Sequence, residues 1–295
     1  SKYLAKQIRD VIEPVTIRRN RLDLQNNPFY KDEVGHLSKI ADPKEWFFEL
    51  SKEQSAFYDK IIAIYFGDPN EGGQFKGAIY HPFEYEVEKE KVKNEKLTEK
   101  ENFQLVQQRN LFDFMRRLMV KRFESSFGSF EQSIKRFKKI TEDALAFIEI
   151  SNKYILDRPL LEKIYNLDEE EIEIKLSEFA EKLRNGDYPK NNRIYDLNNN
   201  FARKEEFIAD IKSDIVLFNS IIKELAEMDL VKNDPKAECL LANIKNVLKQ
   251  KPQPGEPKRK VIIFSEYLDT VNHLEKILTE HFGERILVVG GDLSI

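Results

Sequence analysis

Apolar positions recur at helical spacing along most of the chain. Tyr3, Leu4, Ile8, Val11 and Ile12 predict a first helix over 2–13, with Pro14 as its stop. Pro28, Gly35, Pro43 and paired asparagines make the next stretch irregular. The aromatic run EWFFEL at 45–50 predicts a strand. Ser51 with Gln54 carries a capping-box signature, opening a helix to Phe66 with Phe57, Ile61, Ile64 and Tyr65 on one face. Residues 67–77 read as a loop, and 84–100 as a charge-rich exposed helix or excursion. From 101 to 151 the pattern is helical almost throughout, with Gly128 marking a bend or a close approach of helices. Helices are predicted over 160–166, 168–185 and 203–230, with the Asn-rich NNRIYDLNNN between the last two as a loop. Asp234 and Pro235 open a further helix to about Lys249, with proline at its first turn.

The texture then changes. QKPQPGEPKRK at 250–260 is a Pro/Gly/Lys linker. VIIF at 261–264 is a continuous apolar run of the kind found in buried parallel strands. A helix over 268–281 and a second run, RILVVGG at 285–291, complete a strand–helix–strand pattern. A lone parallel pair exposes its faces and edges, so the expectation is a mainly α chain ending in the beginning of an α/β unit.

Charge refines this picture. Lys and Arg number 48 against 52 Asp and Glu, a net charge of −4, which excludes a wholly basic nucleic-acid binder but not a local basic face. A single cysteine, Cys239, excludes a disulfide framework and a cysteine-rich zinc site. No apolar run approaches the roughly 20 residues of a membrane span, and SKYLAKQIRD lacks the apolar core of a signal peptide. A cytoplasmic location without membrane association is expected. Histidines 36, 81, 273 and 281 have no metal-ligand spacing, so no metal is expected.

Four segments, in order, carry a family signal. IEPVTIRRNRLDL contains paired Arg18 and Arg19. EWFFELSKEQSAFYDKI contains Leu50, Ser51, Gln54 and Tyr58. LMVKRFESSFGSFEQSIKRF contains Lys121, Arg122, Glu124, Ser125 and Ser126. The final stretch contains Lys236, then Phe264-Ser265-Glu266-Tyr267, Thr270, Leu274, Leu278 and Gly291. Together they resemble superfamily-two helicases of the Swi/Snf kind, in the bacterial RapA/HepA-like branch. The likeness covers about residues 5–60, 110–140 and 235–295.

The resemblance implies an inter-lobe linker and first helix over 1–43 and a helical protrusion region over 44–249. A linker over 250–260 and the start of a second RecA-like lobe over 261–295 would follow. It implies a nucleotide-binding hydrolase that translocates on double-stranded DNA (or RNA) with ATP and Mg2+. The sequence holds no G-x-x-x-x-G-K-[ST] phosphate loop, and neither an acidic magnesium box nor the family's arginine-finger motif is recognisable. The expectation is therefore a fragment with no catalytic residue and no cofactor site of its own. The remaining lobe portions would be its partners, and these residues alone would lack ATPase activity.

Candidate nucleic-acid contacts follow. Between 116 and 139, Arg116, Arg117, Lys121, Arg122, Lys135, Arg136, Lys138 and Lys139 face only Glu124 and Glu131. On a helix, Arg117, Lys121 and Glu124 share a face. That face would either neutralise phosphates or be a solvated side paired with acidic 168–173. Arg18 and Arg19 offer phosphate contact or domain docking. Ser265 closes a predicted strand, where open α/β sheets present ligands, or caps the next helix. Gly290 and Gly291 allow close backbone approach. Trp46 and Phe47 are base-stacking candidates or core, while Phe264 and Cys239 read as core. A different class of function is also open: the helical region as a module docking a nuclease, methyltransferase or polymerase.

Overall fold

The computed structural model describes residues 7, 24, 27–31, 41–93, 97–156, 169–185, 193–252 and 257–289. The chain divides into two compact units, Ser1–Glu45 and Trp46–Ile295. In the first, the Asn27 side chain accepts the Phe29 N–H at 2.9 Å in a short turn. Apart from Gln7, the helix expected over 2–13 lies outside the described residues, as does the Arg18–Arg19 pair.

The second unit is mainly helical. Helix α1 (Lys52–Asp59) opens with the expected capping box: Ser51 Oγ accepts the Gln54 N–H at 3.1 Å, and Gln54 Oε1 accepts the Ser51 N–H at 2.9 Å. It widens into a π turn, Lys60–Tyr65, closed by the Phe66 N–H on the Ile61 carbonyl five residues back. The wider turn keeps Phe57, Ile61 and Tyr65 buried and brings Phe66 in. Ile64, expected on that face, is displaced outward to 45% exposure.

Short helices α2 (Phe83–Glu86) and α3 (Lys89–Lys93) follow. Where the charge pattern predicts an exposed excursion, Tyr85 and Val87 are buried. Glu84 pairs with Arg109 at 2.9 Å and Glu86 with Arg193.

Helices α4 (Glu99–Ser125) and α5 (Phe127–Ser151) are separated only by Ser126, whose extended backbone ends one helix and whose hydroxyl caps the next, accepting the Ser129 N–H at 2.9 Å. The break thus falls before Gly128, which serves close approach instead: a Cβ there would stand 2.4 Å from the His273 ring. In α5, Phe130, Ile134, Phe137, Ala144 and Ile148 make a buried stripe at spacings of three, four and seven. Around it pack α4, α6 (Glu169–Arg184), α7 (Lys204–Glu227) and α9 (Leu268–Phe282). Helix α8 (Pro235–Lys249) touches α9. The interior is rich in rings: Phe123 meets Phe57, Phe127 and Phe130 edge-on or tilted at 5.0–5.8 Å between centroids.

A hairpin-like pair joins α5 to α7. Strands β1 (Lys153–Leu156) and β2 (Arg193–Asp196) run antiparallel, with Lys153 opposite Asp196 and Leu156 opposite Arg193. The sequence pattern reads the second of these as a loop, because four residues among asparagines carry almost no period-two signal. Its anchor is Tyr195, fully buried, whose hydroxyl accepts from Gln108 Nε2 at 2.7 Å.

Helix α7 shows a buried polar position. Phe207, Ile211, Leu217, Phe218, Ile221 and Leu225 line its inner face, and Asp214 sits among them. The Asp214 carboxylate accepts the Lys76 and Gly77 N–H groups, each at 2.8 Å. Gly77 takes a left-handed φ of 55°, and a Cβ there would lie 2.4 Å from the Phe112 ring.

Three predicted strands are corrected. Residues 45–50, 261–264 and 286–289 have no regular secondary structure, and among the described residues β1 and β2 pair only with each other. A strand is defined by its ladder, and none of the described residues pairs with these segments. Their apolar side chains are largely exposed: Phe47 at 81%, Ile262 at 77% and Leu287 at 87%. Phe264, expected in the core, is 91% exposed. The helix predicted over 160–166 lies outside the described residues. No helix among those described is long and apolar enough to cross a membrane.

Candidate nucleic-acid interface

The candidate residues on α4 separate by burial. Arg117 and Lys121 are exposed, as is Glu124 one turn on, so the three share an outer face. Arg117 Nε donates to the Asp113 carbonyl of its own helix at 3.2 Å. Arg116 is turned inward: it donates to the Phe66 carbonyl at 3.0 Å and lies 3.7 Å from Asp113. Arg122 is fully buried, with its guanidinium carbon 4.0 Å from the Tyr267 ring centroid. Neither Arg116 nor Arg122 stands with the outer pair.

The basic residues of α5 are matched by carboxylates. Lys135 pairs with Glu131 at 2.9 Å, Lys138 with Glu142 at 3.5 Å and Lys139 with Asp143 at 2.6 Å, all one turn along the same helix. Arg136 reaches Asp269 at 3.4 Å. Partners for these charges thus come from α5 and α9. The side chains of 168–173 lie outside the described residues.

Where α4 meets α5, residues distant in sequence converge. Ser125 and Thr270 share a hydrogen bond at 2.8 Å between hydroxyls. Lys236 at the start of α8 donates to the Glu124 carbonyl and to the Ser125 carbonyl, the latter at 3.3 Å, so an ammonium caps the C-terminal end of α4. Burial pulls the Lys236 ammonium below the usual lysine range, against the pull of Asp234 and Glu124. Asp234 caps α8 by accepting the Lys236 N–H at 2.9 Å, and its other oxygen lies 3.5 Å from His273 Nε2. The His273 ring fills the space that Gly128 leaves open.

Ser265 lies at the edge of this joint, partly exposed. Its hydroxyl accepts the Tyr267 N–H at 3.3 Å, so it organises the turn entering α9 rather than capping the helix. Gly290 and Gly291 lie outside the described residues.

Beside the joint is a cleft of about 230 Å³ lined by Phe48, Leu50, Tyr58, Phe123, Phe127, Glu124 and Lys236. Tyr58 donates to Glu124 at 3.1 Å, and burial followed by that bond raises its phenol above the ordinary range. Trp46 and Phe47 are exposed beside it in sequence. Cys239 is half-buried, its thiol 3.4 Å from the Phe47 carbonyl. Among the described residues no group of three or more His, Cys, Asp or Glu side chains is placed to hold a metal.

Sequence reasoning places Arg122, Glu124 and Ser125 in one motif and Lys236, Tyr267 and Thr270 in another stretch, and the structure gathers them here. It finds Asp234 as a helix start but misses its approach to His273, and it misses the roles of Asp269 and His273 in the same joint. Arg136–Asp269 and Gly128–His273 pair across more than 130 residues, which leaves no local signal. No family model, curated protein or solved structure matches this chain.

Proposed function

We propose that this chain is a segment of an ATP-driven duplex DNA translocase. It would contribute a helical brace and the opening of the second RecA-like lobe, while the ATP-cradling and ATP-hydrolysing motifs belong to other parts of the motor. The observation that carries this reading is the convergence at the α4–α5 junction. Motifs that resemble the helicase family in sequence touch one another through Arg122–Tyr267, Ser125–Thr270 and Lys236–Ser125. A shared joint between these segments is what such a motor would require.

Two further features support it. Residues 261–264 and 286–289 flank amphipathic α9 and hold exposed Ile262, Phe264, Leu287 and Val289, as strands awaiting a sheet would. Arg117 and Lys121 then form a small cationic row on the brace, suited to duplex phosphates. In the whole motor, ATP with Mg2+ would supply the driving hydrolysis. A second reading, a protein-docking module, draws on Phe103 and Val106, exposed at 64% and 48% on α4.

Duplex binding titrated at several salt concentrations tests the proposal. Binding is expected to weaken steeply with salt, and replacing both Arg117 and Lys121 by alanine should reduce the log–log salt slope by about 1.8, the contribution of two phosphate contacts. ATP turnover by the chain alone should be absent. Failure to bind duplex at any salt favours the docking module.

A further inference from the structure

The Tyr267 ring lies on a guanidinium that has no exposed surface. Burying a guanidinium this fully is costly unless it is paired and hydrogen-bonded, and the ring face at 4.0 Å is one favourable contact that it has there. The contact has neighbours on both sides. The Ser125–Thr270 hydroxyl bond fixes the first turn of α9, and Arg136–Asp269 fixes it again from α5. His273 against Gly128 fixes the second turn. Four contacts therefore attach one end of α9 to the α4–α5 junction.

That end also carries Ser265, two residues before Tyr267 and bonded to its N–H. Lys121 precedes Arg122 on α4 and is exposed. Of the four contacts, Arg122–Tyr267 is the one nearest the Ser265 turn, and it connects that turn to the residue beside Lys121.

We propose that Arg122 and Tyr267 are positioning residues: their contact holds the Ser265 turn in register with Lys121 and Arg117, so that both engage one run of duplex phosphates. This deepens the translocase reading and rests on it. Neither Arg122 nor Tyr267 touches nucleic acid in this arrangement. Loosening the contact frees the Ser265 turn from the row, while the contacts at Asp269, Thr270 and His273 still hold the helix behind it.

The test is a double-mutant cycle in duplex affinity at low salt, using the whole chain. Ser265→Ala should weaken binding about threefold in the otherwise unaltered chain, the scale of one neutral hydrogen bond. It should change nothing in Tyr267→Leu, where the turn is already out of register. Tyr267→Leu itself should weaken binding several-fold and raise amide exchange in the first turns of α9, while helix content stays unchanged. Tyr267→Phe keeps the ring face and should restore wild-type affinity and exchange. Additive effects of Ser265→Ala and Tyr267→Leu overturn this inference alone, as does a Tyr267→Leu chain that binds normally. A wild-type chain that does not bind duplex overturns the translocase reading and this inference with it. Should Tyr267→Leu lose helix content, Tyr267→Phe and Tyr267→His, which keep a ring, replace it in the cycle; a Ser265 effect equal across all three backgrounds then refutes the coupling.

Discussion

Asp214 is the group through which pH should act most visibly on stability. It is 2% exposed on the inner face of α7. Burial raises its carboxyl, the Lys76 and Gly77 N–H groups pull the other way, and Asp210 adds to the rise; the result is a carboxyl pushed up to about 7. An unfolded aspartate titrates near 3.9. The folded state therefore holds this proton more tightly than the unfolded state. Its stabilising contribution is complete below about pH 4 and is lost as pH rises through about 7. One proton is worth about 1.4 kcal/mol per pH unit, so roughly three units correspond to roughly 4 kcal/mol. The perturbation is Asp214→Asn, which cannot titrate and keeps one acceptor for the two N–H donors. At low pH it should cost about 1–3 kcal/mol through the donor left facing an amide. Urea unfolding followed by circular dichroism at half-unit steps from pH 4 to 8 gives both curves. Subtracting them cancels carboxylates common to both, including Glu84. For Glu84, burial opposes ionisation but bonds from His81 and Arg109 outweigh it, leaving its carboxyl at about 2. The wild-type advantage should fall by roughly 4 kcal/mol, turn into a disadvantage, and level off above pH 7. A difference that stays flat refutes the reasoning: Asp214 would then be ionised throughout, with the two amides outweighing burial.

Gly77→Ala meets both a left-handed φ and the Phe112 ring, and should lower stability by about 2 kcal/mol or more, read as a fall in the urea midpoint at unchanged slope. Ser51→Ala removes one half of the α1 capping box and should cost about 1 kcal/mol by the same measurement; Ser51→Asp should recover most of it.

Local signals carried the helices well. Ser51 with Gln54 and Asp234 with Pro235 are both decided within one or two turns, and each is in the structure as expected. What was not legible depends on chain met later or elsewhere. VIIF and EWFFEL have strand composition, but a ladder needs a neighbour. The π turn moved Ile64 outward, a shift that a 3.6-residue period cannot express. At the candidate interface, Arg122 and Lys121 look alike as letters in a basic run, yet one is buried against Tyr267 and the other exposed. Only the partner, 145 residues away, separates them. Asp214 looks like an error in an apolar stripe until the Lys76–Gly77 amides are placed beside it.

The β1–β2 pair has a consequence for how this protein can change. Leu156 faces Arg193 across the ladder, so β1 and β2 hold the two ends of the span that carries α6 side by side. Helix α6 packs on α5 and sends Leu176 and Ala180 into the shared core, so it belongs to the body. A span whose ends are already held together lengthens at small entropic cost, growing as the logarithm of its length. Residues can therefore be added outside α6 while α5 and α7 keep their spacing, provided Leu176 and Ala180 stay in the core and Phe179 and Leu183 stay against Ile155. The ladder thus separates tolerance of insertion from the packing of the helices it joins.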